Sequence, residues 1–121
     1  MERVTGIGGV FFRSRDPEAL TRWYVEHLGL EASEHGTVLM RASADALTVW
    51  APFPEDTDYI GGPAQWMLNF RVRDLDAMLR QLREHGVEVE DKTEDYDYGR
   101  FGWARDPEGN RIELWEPAGG G

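Results

Sequence analysis

The sequence predicts an α+β domain in which a strand–helix–three-strand unit is used twice. Three observations lead there. Apolar residues switch between helical and strand spacing along the chain. The first half recurs in the second at a constant offset of 58 residues: Asp16 with Asp74, Glu26-His27 with Glu84-His85, and Phe12, Arg13 and Arg15 with Phe70, Arg71 and Arg73. The chain closes on Asp106-Pro107-Glu108-Gly109-Asn110-Arg111-Ile112-Glu113-Leu114-Trp115-Glu116-Pro117, a tight turn feeding a strand. With 121 residues, one domain over 1–121 can bury a core without staples. Module 1 spans about 4–51, a linker 52–65, and module 2 about 66–117.

Each element has a local reason. Ile7 to Arg13 is rich in β-branched and aromatic residues and predicts a strand. Asp16 caps the following helix, Pro17 fits its first position and Glu18 suits its positive end. Leu20, Trp23, Tyr24 and Leu28 fall at helical spacing, and Gly29 ends the run. Short strands are expected over 37–41 and 46–50, joined at Ser43-Ala44-Asp45. The stretch 51–64 holds Pro52, Pro54, Pro63 and Gly61-Gly62 without periodicity, as a linker or long ordered loop does. Met67 to Arg73 is a strand, and Asp74 caps a second helix with the stripe Leu75, Met78, Leu79 and Leu82, ended at Gly86. Val87-Glu88-Val89-Glu90 alternates as a strand. An acidic loop from Asp91 to Asp97 and a strand from Tyr98 to Ala104 follow. In the final strand Ile112 and Leu114 share one face; Arg111, Glu113 and Trp115 share the other. Pro117 and the glycine tail are expected to fray.

Composition removes several function classes. The net charge of −10 opposes binding to nucleic acid or an anionic membrane surface. No apolar run is long enough to span a bilayer, the N-terminus lacks a signal peptide's features, and there is no cysteine for disulfides, thiolate metal sites or nucleophilic chemistry. A cytoplasmic location is the default expectation.

The doubled unit, its starts Phe12-Arg13 to Asp16-Pro17 and Phe70-Arg71-Val72-Arg73-Asp74, the helix end His27-Leu28-Gly29-Leu30 and the run Asp106 to Trp115 resemble the vicinal oxygen chelate superfamily. That superfamily contains glyoxalase I, extradiol dioxygenases, fosfomycin-resistance proteins and bleomycin-binding proteins. The resemblance covers about Gly6 to Pro117. It implies the glyoxalase/bleomycin resistance fold, two βαβββ modules whose mixed sheet curls into a cup, and frequently a homodimer. Metal enzymes of the superfamily hold a divalent ion on four positions, which fall here on Gly9, Thr48, Met67 and Glu113. Only Glu113 matches, and one donor cannot hold an ion that needs three or four. At these positions the chain departs from the metal enzymes of the superfamily, and no metal and no other cofactor is expected.

With that geometry the inward face carries Gly9, Phe11 and Arg13; Thr48 and Trp50; Met67, Asn69 and Arg71; Glu113 and Trp115. Glu113 is the candidate catalytic residue. Phe11, Arg13, Trp50, Met67, Asn69, Arg71 and Trp115 are the candidate ligand-binding residues. Arg13 and Arg71 clamp a carboxylate or phosphate, pair with Glu113, or are surface residues at strand ends. Trp50 and Trp115 either stack on a planar ligand or belong to the core. Tyr98 and Arg100 are candidates for the rim. His27 and His85 suit the negative ends of their helices, and His35 sits in a turn. The leading function is metal-independent binding of a small organic molecule. The alternatives are a metal-independent isomerase, epimerase or lyase with Glu113 as general base, and a metal-dependent lyase or dioxygenase.

Overall fold

The computed structural model describes residues 1–3, 7–34, 36–41 and 43–119. His35 and the last two glycines, for which a turn and a frayed tail are expected, lie outside them. Six elements follow in chain order: α1 (Pro17–Leu28), β1 (Leu68–Arg71), α2 (Leu75–Glu84), β2 (Glu94–Tyr96), β3 (Gly99–Arg105) and β4 (Arg111–Pro117). The four strands form one mixed sheet in the order β1-β4-β3-β2. The β1–β4 pair is parallel, and β4–β3 and β3–β2 are antiparallel. The α+β class and the mixed sheet are thus as the sequence predicts.

The two helices begin alike because their sequences do. Asp16 accepts from the Ala19 amide at 3.1 Å and Asp74 from the Ala77 amide at 3.0 Å, each satisfying a donor that the first helical turn leaves free. Both helices cover one face of the sheet. Leu20 and Tyr24 of α1, Leu75, Leu79 and Leu82 of α2, and Ala104, Ile112 and Leu114 of the strands form the buried core. Gly102 lets α2 come this close: a Cβ there would stand 3.1 and 3.2 Å from the Leu79 methyls.

Several sequence expectations change. No strand forms over 7–13, 37–41 or 46–50; an isolated bridge pairs Ala32 with Val38. Strand propensity reflects fit to a pleated, half-buried surface, and these segments lie against no sheet neighbour. Their large side chains are exposed, Phe11 at 98% and Trp50 at 76%. The segment 87–90 makes one bridge, Val89 to Ala104, with the Glu90 amide on Trp103 O and the Arg105 amide on Glu88 O. The acidic stretch 91–97, read as a loop, contains β2, which takes the rest of the same edge of β3. Pro117 is not frayed; it ends β4 opposite Gly99. No described helix is long and apolar enough to cross a membrane.

Candidate functional site

The terminal turn anchors the first half of the chain to the sheet. Pro107 and Gly109 (φ 84°) shape it, and the Gly109 amide bonds Asp106 O at 3.0 Å. Asp106 is buried at 5% exposure. Its carboxylate accepts from Tyr24 Oη at 2.8 Å, the Glu108 and Asn110 amides at 2.9 and 3.0 Å, and Asn110 Nδ2 at 2.8 Å. Burial and this bond to Asp106 push the Tyr24 phenol well above its ordinary range. Glu108 accepts from the Arg15 amide, Ser14 Oγ and the Asp16 amide, which lowers its carboxyl below the usual value. The turn therefore ties α1 to β4 and is structural.

The opposite face of the sheet carries the polar cluster. Register places Asn69 beside Glu113 and Arg71 beside Trp115 across β1–β4, and Trp103 beside Glu113 and Phe101 beside Trp115 across β3–β4. Glu113 is 7% exposed. Its Oε1 accepts from Trp103 Nε1 at 3.1 Å and from the Tyr59 hydroxyl in a short bond; its Oε2 accepts from Asn69 Nδ2 at 2.8 Å. Burial, then the bond to Glu113, raises the Tyr59 phenol well above its usual range.

Beside this carboxylate lies a guanidinium. Arg111 Nε and Nη2 fork onto the Glu90 carboxylate at 2.7 and 2.8 Å, and Nη1 donates to Tyr59 O at 2.5 Å. The pairing raises the Arg111 pKa and lowers that of Glu90. The guanidinium centre also sits 4.9 Å from the Trp103 ring centroid and 5.5 Å from that of Tyr59. Towards the β2 side the face becomes aromatic: Phe101 and Trp115 stack at 6.0 Å with 3° between planes, and Tyr96 and Tyr98 stack at 5.3 Å. The arrangement offers stacked aromatic rings next to a buried carboxylate that accepts three hydrogen bonds.

The predicted residues divide. Glu113, Asn69, Arg71 and Trp115 share the face, and the Met67 sulfur lies 3.9 Å from Arg111 Nη1. Arg71 Nη1 donates to Leu47 O rather than to Glu113. Phe11, Arg13 and Trp50 are exposed and are not drawn into the Glu113 cluster. They come from segments with no sheet partner, so nothing fixes their inward orientation. Tyr98 does edge the face: its ring centroid is 5.8 Å from Phe101 and its carbonyl accepts from Trp115 Nε1 at 3.2 Å. Arg100 instead leaves it, reaching Asp76 on α2 and Asp95, each at 3.1 Å. His27 and His85 meet with their Nδ1 atoms 3.4 Å apart.

Sequence reasoning missed Tyr59, Trp103, Arg111 and Glu90 as site residues. Alternation through Phe101, Trp103 and Arg105 was the available signal for Trp103. Tyr59 comes from an aperiodic stretch and had none. Two open clefts, about 330 and 250 Å³, lie elsewhere, around Trp23 and Pro107 on the helix side. Glu113 and its partners line neither, and the strand-face chemistry carries the site assignment.

The four positions that correspond to metal ligands do not fit an ion. Gly9 has no donor, Thr48 is exposed, the Met67 sulfur faces a guanidinium, and Glu113 is surrounded by N–H and O–H donors in place of lone pairs. Among the described residues no group of three or more His, Cys, Asp or Glu side chains is placed to hold a metal.

Comparison with known proteins gives one consistent result. The family described as the Glyoxalase/Bleomycin resistance protein/Dioxygenase superfamily matches residues 6–114. The structure of TnmS3, an antibiotic binding protein from Streptomyces sp. CB03234, is 30% identical, with 85% of this chain and 88% of that one covered and a TM-score of 0.52. A superfamily member from Sphaerobacter thermophilus DSM 20745 is 28% identical over 84% of this chain and 88% of its own, with a TM-score of 0.52. A glyoxylase/bleomycin resistance protein/dioxygenase domain from Frankia sp. EAN1pec shares the fold at 18% identity, covering 95% and 99% with a TM-score of 0.61. None of the curated proteins matches.

Proposed function

Because the chain belongs to the Glyoxalase/Bleomycin resistance protein/Dioxygenase superfamily, we propose that it binds a small, planar organic molecule on the strand face around Glu113, without a metal. The observation that carries this reading is the state of Glu113. A general base must reach the proton that it abstracts. Here two donors on neighbouring strands, Asn69 and Trp103, hold the carboxylate and the Tyr59 hydroxyl covers it, beside aromatic rings suited to stacking. The 30% identity to an antibiotic binding protein supports a binding role. Asn69, Arg71, Met67 and Trp115 form the floor of the site. In the proposed ligand-bound protein, Phe11, Arg13 and Trp50 close over the ligand. One observation favours a second reading, a metal-independent isomerase, epimerase or lyase: a buried carboxylate, Glu113, lies on the same face as the aromatic rings that would hold a substrate.

We further infer a cytoplasmic homodimer. Phe11, Leu47, Val49 and Trp50 leave apolar surface open, and a second copy would cover it. Sedimentation velocity reads this directly. A dimer is expected, and a 13.8 kDa monomer at high micromolar concentration would contradict it. Binding itself is tested by titrating the protein with 2-naphthol and following tryptophan fluorescence. Saturable one-to-one quenching is expected; a purely linear decline would contradict the reading.

A further inference from the structure

We infer that Tyr59 is a built-in occupant of the ligand position, and that the molecule replacing it is an aromatic compound bearing a phenolic hydroxyl. This rests on the binding role proposed above and adds the chemical class of the ligand.

Every group that holds the Tyr59 side chain over the sheet is fixed independently of Tyr59. Glu113 is on β4, held by Trp103 of β3 and Asn69 of β1. Arg111 is held by Glu90. The Trp103 ring meets Tyr59 edge-on at 6.2 Å. If Tyr59 leaves, three features remain: a buried carboxylate oxygen with one donor missing, a guanidinium face, and an indole. Those are the features that a phenol satisfies. Its hydroxyl replaces the lost donor, and its ring takes the cation–π and edge contacts.

The exchange is one of the Tyr59 side chain alone, since Arg111 Nη1 donates to Tyr59 O and keeps the backbone in place. Tyr59 lies in the aperiodic stretch between Trp50 and β1, and its other ring neighbour, Phe53 at 5.3 Å, belongs to the same stretch. Gly61 and Gly62 follow, both in the left-handed region at φ 77° and 87°. A Cβ on Gly61 would stand 2.8 Å from Arg111 Cδ, so the backbone rests directly on the arginine at this point. The chain needs glycine there both for its conformation and for its approach.

The hydroxyl is the specificity element. A buried carboxylate left without its donor is costly, so an isosteric methyl ether, which has no hydrogen to give, is rejected although its ring is the same.

The test uses 2-naphthol and 2-methoxynaphthalene on the full chain and on Tyr59→Phe, by calorimetric titration, with circular dichroism to check folding. Wild type is expected to bind 2-naphthol at least tenfold more tightly than the ether. Tyr59→Phe, freed of the competing hydroxyl, is expected to bind 2-naphthol about tenfold more tightly than wild type. Equal binding of naphthol and ether by wild type overturns the inference but leaves the binding site standing, and this arm holds even if the variant does not fold. Unchanged or weakened naphthol binding in a folded Tyr59→Phe also overturns it, since Tyr59 would then be part of the wall. If neither probe binds either protein, the proposed binding role fails and this inference with it.

Discussion

Asp106→Ala lowers the unfolding free energy by about 3–5 kcal/mol, a large fraction of a typical small domain's stability. Asp106 joins three things that otherwise have no common partner: the Tyr24 hydroxyl in the core, two amides of the terminal turn, and the Asn110 side chain. Tyr24 is 6% exposed, so its hydroxyl cannot simply turn to water when the carboxylate is removed. A buried donor without a partner costs about 1–3 kcal/mol, and the turn that positions Glu108 on the start of α1 loosens as well. Asp106→Asn keeps an acceptor for Tyr24 but offers an NH₂ where other donors already point, so an intermediate loss is expected. Urea unfolding reads both. A loss below about 1 kcal/mol for the alanine variant would show that the turn does not anchor α1.

Glu113→Ala is expected to cost about 3 kcal/mol for the same physical reason on the other face. It strands the Trp103 indole N–H, in a residue 1% exposed, together with the Asn69 amide. Glu113→Gln is milder, about 1 kcal/mol, because the Asn69 amide can turn and present its oxygen to the new NH₂ while Tyr59 and Trp103 keep their acceptor. The glutamine variant therefore separates the functional readings in a folded protein. Under the binding reading it retains affinity for planar aromatics to within about tenfold. Under the general-base reading it binds substrate and loses turnover by at least about a hundredfold.

The parts of this fold that were legible in the sequence are those set by short-range chemistry. Asp16 and Asp74 announce their helices because a cap acts within three residues. The split of Ile112 and Leu114 from Glu113 and Trp115 follows from the two-residue period of a strand, and it placed Glu113 on the right face. Pairing was not legible in this way. The segments around Phe11, Leu39 and Val49 have strand composition, but composition cannot supply a neighbouring strand. Conversely, Glu94-Asp95-Tyr96 looks like a solvated acidic turn and becomes β2 because β3 offers it an open edge. The site was half legible. Asn69 and Glu113 meet because the register of β1 on β4 follows from their apolar faces. Tyr59 arrives from 54 residues away in sequence, from a stretch without periodicity, and no local rule points to its target.

A ligand received on this strand face, and not in the helix-side clefts, has a distinct signature. The five tryptophans of the chain make it directly measurable. In a ¹⁵N-labelled sample titrated with 2-naphthol, the indole N–H signals of Trp103 and Trp115 report on the Glu113 face, and that of Trp23 reports on both clefts. Saturable shifts of Trp103 and Trp115 are expected, with Trp23 unmoved. Shifts confined to Trp23, or none at all at saturating ligand, would contradict it.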